Sequence, residues 1–204
     1  MTDTLLQGFK KFREETYSGD NAIMPRLTQE GQRPEYFIIS CIDSRSNPGT
    51  IFRPEPGTFL AHKAMGAIVR PYKKGTALSA ALQFALRYNG VRKIVLLGHT
   101  GCGAIKALVD KIEDEEISSF VGVAQESLTK AKARCDDNSY ANVLRKTEEE
   151  IVLRSAENLK TYPSVVELLK TGELEISPWL FELETGTLFA YDEASKKFEA
   201  CDGA

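Results

Sequence analysis

Histidine and cysteine are scarce in this chain, with two of the former and four of the latter in 204 residues, and no two cysteines stand in a Cys-x-x-Cys arrangement. That omission removes the usual dithiol redox motif. No apolar run approaches the ~20 residues that a bilayer-spanning helix needs, and Met1 to Gln7 lack the charged-then-apolar pattern of a secretory signal. Charge of one sign is not in excess either. Lys and Arg number 26 against 29 Asp and Glu, and the net charge of −3 gives no electrostatic ground for nucleic acid or an anionic membrane as partner. There is no internal repeat, no low-complexity tract and no Gly-Lys-Ser/Thr phosphate-binding end. Unpaired cysteines suit a reducing compartment, so a cytoplasmic protein is expected.

What is present suffices for one core: 42% of the residues are hydrophobic. Leu5, Leu6, Phe9 and Phe12 have helical spacing within Thr4 to Tyr17, and Gly19 to Pro34 is polar and interrupted by prolines. Residues 1–33 are therefore expected to form an N-terminal helical arm, and 34–204 a single α/β domain. Tyr36 to Ile39 and Lys93 to Leu97 read as buried strands. Between them, Leu78, Ala81, Leu82, Ala85 and Leu86 mark a helical face that Asn89-Gly90 ends. Strand, connection, helix, strand predicts a central, mostly parallel sheet flanked by helices. Val121, Ala124, Leu128 and Ala131 predict one later helix, and Val143, Leu144, Ile151 and Val152 another. The run Glu148-Glu149-Glu150 reads as a solvated helix face. Glu173 to Ser177 and Trp179 to Leu183 read as two extended segments. The second turns through Glu184-Thr185-Gly186 into Leu188 to Tyr191, a hairpin at the sheet edge.

Two segments carry chemistry, Cys41-Ile42-Asp43-Ser44-Arg45 and Gly98-His99-Thr100-Gly101-Cys102-Gly103. The second lies between an apolar strand and a helix that begins near Ala104, and its glycines suit a tight turn. Cys102 would sit at a helix N-terminus, which favours the thiolate. Two sulfurs and one imidazole form a set that zinc accepts with one tetrahedral position left for water. In an extended chain Cys41, Asp43 and Arg45 would project to one side, which would set a carboxylate and a guanidinium beside a ligand sulfur. His62, the other histidine, is read as a packed or partly exposed side chain.

Together the two segments resemble the motifs of the beta-class carbonic anhydrases, whose pattern is Cys-x-Asp-Ser-Arg followed by Gly-His-x-x-Cys-Gly. The likeness extends over Gly75 to Gly90, Ser155 to Pro163 and Gly172 to Asp192. It implies one zinc ion per subunit on Cys41, His99 and Cys102, and reversible hydration of carbon dioxide to bicarbonate and a proton by zinc-bound hydroxide, a lyase reaction. It also implies that Arg45 holds Asp43 off the metal while Asp43 orients the nucleophile. In a closed state Asp43 would become the fourth ligand. Ser44, Lys63 and Gly103 are implied substrate contacts. The family's N-terminal helix reaches to a second subunit, so a homodimer or homotetramer is expected.

The chain departs from the family where an Arg-Asn pair usually stands, carrying His62-Lys63-Ala64-Met65-Gly66-Ala67, and Glu55 replaces a common glutamine before Pro56-Gly57. Lysine keeps the charge but loses the planar fork of arginine. That leaves room for a related small electrophile, carbonyl sulfide or carbon disulfide, as substrate. A further alternative is a non-catalytic zinc protein whose site is closed by Cys135 or Cys201.

Overall fold

The computed structural model of the chain describes residues 3–19 and 22–201; the readings that fall on Met1, Thr2, Asp20, Asn21 and residues 202–204 lie outside the described residues. Two helices come first, α1 (Thr4–Tyr17) and α2 (Ile23–Glu30). Asp3 caps α1 by accepting from the Leu5 N–H at 2.9 Å. The Gly19 to Pro34 segment is thus partly helical. Pro25 falls in the first turn of α2, where no amide donor is needed, and Gly31 at φ +81° ends the helix. No residue of either helix is buried.

The chain then lays down β1 (Tyr36–Ser40), a short helix α3 (Pro48–Ile51), β2 (Phe59–Lys63), α4 (Ala77–Gln83) with a wider π turn over Phe84–Tyr88, and β3 (Lys93–His99). Four helices follow, α5 (Gly103–Val109), α6 (Glu115–Val121), α7 (Gln125–Ala133) and α8 (Tyr140–Leu159). After α9 (Pro163–Lys170) come β4 (Glu175–Phe181), β5 (Leu188–Asp192) and β6 (Lys197–Ala200). The strands form one sheet in the order β2-β1-β3-β4-β5-β6. Its first four strands run parallel and the last two antiparallel, as a mostly parallel sheet with an edge hairpin requires. The two extended segments expected before the hairpin are a single strand. Pro178 is tolerated inside it because pairing with β5 begins only at Trp179.

Alternate residues of β1 and β3 enter different cores, as the two-residue period of a strand dictates. Phe37, Ile39, Ile94 and Leu96 pack with Leu82, Leu86, Val152 and Leu159 on one face. Ile38, Val95 and Leu97 pack with Tyr36, Phe52 and Trp179 on the other. A third apolar cluster gathers beyond the C-terminal ends of these strands, where Cys41 and Cys102 join Ile68, Ile105, Leu128 and Ile151. Two cysteines are thereby delivered into one apolar cluster from 61 residues apart.

Candidate metal centre

Register brings the three candidate ligands together. Ser40 pairs with Leu97 in adjacent parallel strands, so Cys41, one residue on, comes level with the end of β3, where His99 is the last residue. Gly101 bends the chain with φ +63°, and Cys102 becomes the residue just before α5. Cys41, His99 and Cys102 are all buried, and their ligand atoms lie within 4.8 Å of one another. The two sulfurs are 3.9 Å apart. A tetrahedral ion with ~2.3 Å bonds to sulfur would separate them by about 3.8 Å.

The imidazole is oriented for the same task. His99 Nδ1 lies 2.9 Å from the Thr100 carbonyl, which can only accept, so Nδ1 carries the proton and Nε2 presents a lone pair. Nε2 is buried with no hydrogen-bond partner among the described residues. A buried, unpaired nitrogen facing two sulfurs is what a metal ion would satisfy. The electrostatics agree. The hydrogen bond from Cys102 lowers the Cys41 pKa, while Cys41 and burial push that of Cys102 up, so the sulfurs share a proton that a cation would expel. Burial alone would lower the His99 pKa, yet Cys41, the Thr100 carbonyl and Asp43 together hold it above the ordinary value. The cluster holds negative potential in a place closed to solvent.

Further contacts fix Cys41. The Gly66 N–H donates to its sulfur at 3.2 Å, and Lys63 Nζ donates to its carbonyl oxygen at 2.9 Å. Gly66 has φ +67°, and a Cβ there would press on Ala104 and Ile68 at 3.2 Å. The loop that departs from the family pattern therefore touches the ligand cysteine twice. Of the other expected substrate contacts, Ser44 is exposed and Gly103 is the exposed first residue of α5. His62 is half-buried on edge strand β2, consistent with a packing role.

Asp43 and Arg45 pair as expected, but not along an extended chain. Asp43 Oδ1 accepts from the Arg45 N–H at 2.9 Å and thereby turns Ser44–Ser46 into a single 3-10 turn. Aspartate readily captures the amide two residues on, which competes with extension. The turn brings the guanidinium back onto the carboxylate. Arg45 Nε donates to Oδ1 at 3.1 Å and Nη2 to Oδ2 at 2.8 Å. These bonds hold the Asp43 pKa far below the usual carboxylate range.

The acidic run at residues 148–150 is corrected by the structure. Glu148 is only 3% exposed, and its Oε1 accepts from the Cys102 N–H at 3.0 Å. Burial raises its pKa to about 7, against the opposing pull of the Cys102 amide and the His99 and Arg145 charges. Glu149 pairs instead with Arg145 and Lys146, and Glu150 with Arg134. A signal was available. Glu148 falls four residues after Leu144 and four before Val152, on the apolar stripe of α8. The closed-site alternative fails on geometry: Cys135 and Cys201 lie outside the ligand group, Cys135 half-buried and Cys201 exposed.

The fold and these convergent atoms define an α/β domain able to hold one metal ion by two sulfurs and an imidazole. A family model described as carbonic anhydrase matches residues 36–188. The chain belongs to that family, in its beta class. A carbonic anhydrase of Synechocystis sp. is 30% identical over 202 residues, covering 96% of this chain and 73% of that protein. Carbonic anhydrase 1 of Escherichia coli O157:H7 is 29% identical over 198 residues, covering 95% and 90%. The solved beta-carbonic anhydrase CcaA superposes with a TM-score of 0.88 at 27% identity, over 96% of this chain and 97% of that one. No described helix is long and apolar enough to cross a membrane.

Proposed function

We propose that the protein catalyses the reversible hydration of carbon dioxide to bicarbonate and a proton with one zinc ion held by Cys41, His99 and Cys102. The observation that carries this reading is the Asp43 carboxylate, gripped by Arg45, with Oδ2 only 3.9 Å from the unpartnered Nε2 of His99. Zinc, when bound, supplies Lewis acidity that activates water as a nucleophile. Two thiolates and a neutral imidazole cancel its charge, so activation requires more alkaline solution than at a site of neutral ligands.

The chain's own residues do the rest. Asp43 is ionised and acceptor-only, and it receives the hydrogen bond of the attacking water, aiming the oxygen lone pair at the substrate carbon. Arg45 keeps Asp43 ionised and turned toward itself, which withholds both carboxylate oxygens from the metal. Loss of that pairing would allow Asp43 to close the site as a fourth ligand. Lys63 anchors Cys41 through one donor and retains others for bicarbonate, and Ser44 and Gly103, both exposed, would be further substrate contacts.

Residues 1–33 act as an arm that docks on a second copy in a homodimer or homotetramer. Leu5, Leu6, Phe9 and Phe12 of α1 are exposed, Leu5 by 81%. The two beta-carbonic anhydrases of Sordaria macrospora in a related solved structure are tetrameric. Four unpaired cysteines suit the cytoplasm.

Stopped-flow carbon dioxide hydration on metal-quantified protein tests the reading. Turnover should scale with zinc content and rise toward alkaline pH. A flat pH profile, or sulfide release from carbonyl sulfide with no hydration, would overturn it.

A further inference from the structure

The turn that carries two of the three ligands has to be held from outside, because its own hydrogen-bonding groups face different ways. Its first residue is well anchored on the sheet side. The Thr100 N–H donates to the Phe181 carbonyl at 3.0 Å, while Thr100 Oγ1 accepts from the Leu183 N–H at 2.9 Å and donates to Glu184 Oε2 at 2.7 Å. At Gly101 the left-handed backbone turns the next peptide away from the strand. Cys102 is the residue just before α5, so its own N–H has no place in the helical ladder and, being buried, must find a partner elsewhere. Glu148 Oε1, reaching across from α8, is that partner at 3.0 Å.

We infer that Glu148 is a positioning residue for the metal centre, fixing the Cys102 peptide, and through it the directions of the Cys102 sulfur and the His99 ring. Three observations support the assignment. Burying a carboxylate is costly unless it is well partnered, and Glu148 is the buried carboxylate among the described residues. No cation pairs with it there, so its bonding is directed at the ligand turn. Its helix is also firmly seated, with Ile151, Val152 and Ala156 in the cores beneath. A side chain on a rigid element, bonded to a backbone group of a ligand, is the arrangement by which supporting residues set metal affinity.

The inference deepens the zinc reading and rests on it. The test is the rate at which zinc leaves folded protein for an excess of chelator with a chromophoric metal indicator, together with the thiolate-to-metal absorption of the cobalt-substituted form. Glu148→Ala should release zinc about 10–100-fold faster than wild type. Glu148→Asp keeps the charge but falls short of the Cys102 N–H, and should behave like alanine. It also serves if the alanine variant fails to fold. Glu148→Gln retains an acceptor at the same reach and should stay within about threefold of wild type with an unchanged cobalt spectrum. Release at the wild-type rate from the alanine or aspartate variant would overturn the inference, as would glutamine behaving like aspartate. Wild-type protein that retains no zinc would instead overturn the metal reading itself.

Discussion

Arg45 holds both carboxylate oxygens of Asp43, at 2.8 and 3.1 Å, and does so across a turn that Asp43 itself creates by capturing the Arg45 amide. Pairing and turn are one unit. Asp43→Asn cannot serve as a charged acceptor and should lower the hydration rate about 100-fold with zinc content unchanged. Arg45→Lys loses the planar fork and should cost about tenfold, with metal absorption spectroscopy registering an added oxygen ligand. Full activity in Asp43→Asn would remove the carboxylate from the mechanism.

Metal removal should register as lost stability. An ion that binds only the folded chain, present at about 1,000 times its dissociation constant, adds roughly 4 kcal/mol. For a chain of this size that corresponds to a rise in Tm of about 10 °C. Calorimetry with and without chelator measures the difference. Cys102→Ser should shrink it, while Cys201→Ser, on an exposed residue outside the ligand group, should leave it intact.

His62 provides a pH test away from the ligands. Burial lowers its pKa below the ordinary 6.5. A depressed histidine adds stability that is present above the ordinary value and lost as pH falls through the lower folded one. Urea unfolding at about pH 5 and pH 7 should therefore show a smaller difference in His62→Gln than in wild type. Proton NMR should place the His62 ring midpoint below 6.5. A midpoint above that value would contradict the burial argument.

The three residues able to hold a metal were legible because short motifs name such donors, and the parallel sheet because two apolar strands bracket a helical face. What escaped was geometry set by competition or by distance. Cys41, Asp43 and Arg45 alternate as a strand would, but the Asp43 side chain outcompetes extension by bonding a local amide. Glu148 was hidden by its neighbours Glu149 and Glu150, since three consecutive acids suggest a solvated face even where helical periodicity turns one inward. No local pattern could announce that its partner would be a peptide N–H 46 residues earlier. For Lys63 the family resemblance implies a substrate contact, and its bond to the Cys41 carbonyl is a further contact that depends on a register between β1 and β2 that only the fold supplies.

Gly98 tests how closely α8 and β3 fit. A Cβ at this position would collide with Val152 Cγ2 and press on Leu180 Cδ1 at 3.2 Å. Gly98→Ala should therefore destabilise by about 1–3 kcal/mol in urea unfolding. Val152→Ala should cost less in the Gly98→Ala background than in wild type, giving a measurable coupling between the two positions.

The bare α-carbon at position 98 sets a clearance. With nothing but hydrogen projecting from the strand, the long helix lies flush on it at Val152, and one helical turn back, about 6 Å along the axis, Glu148 arrives level with the Cys102 amide. Selecting variants only for a folded chain would tolerate a larger residue at 98 matched by a smaller one at 152. Selecting for a tightly held ion would reject many of those pairs, because lifting the helix stretches the 3.0 Å bond between its carboxylate and the Cys102 amide.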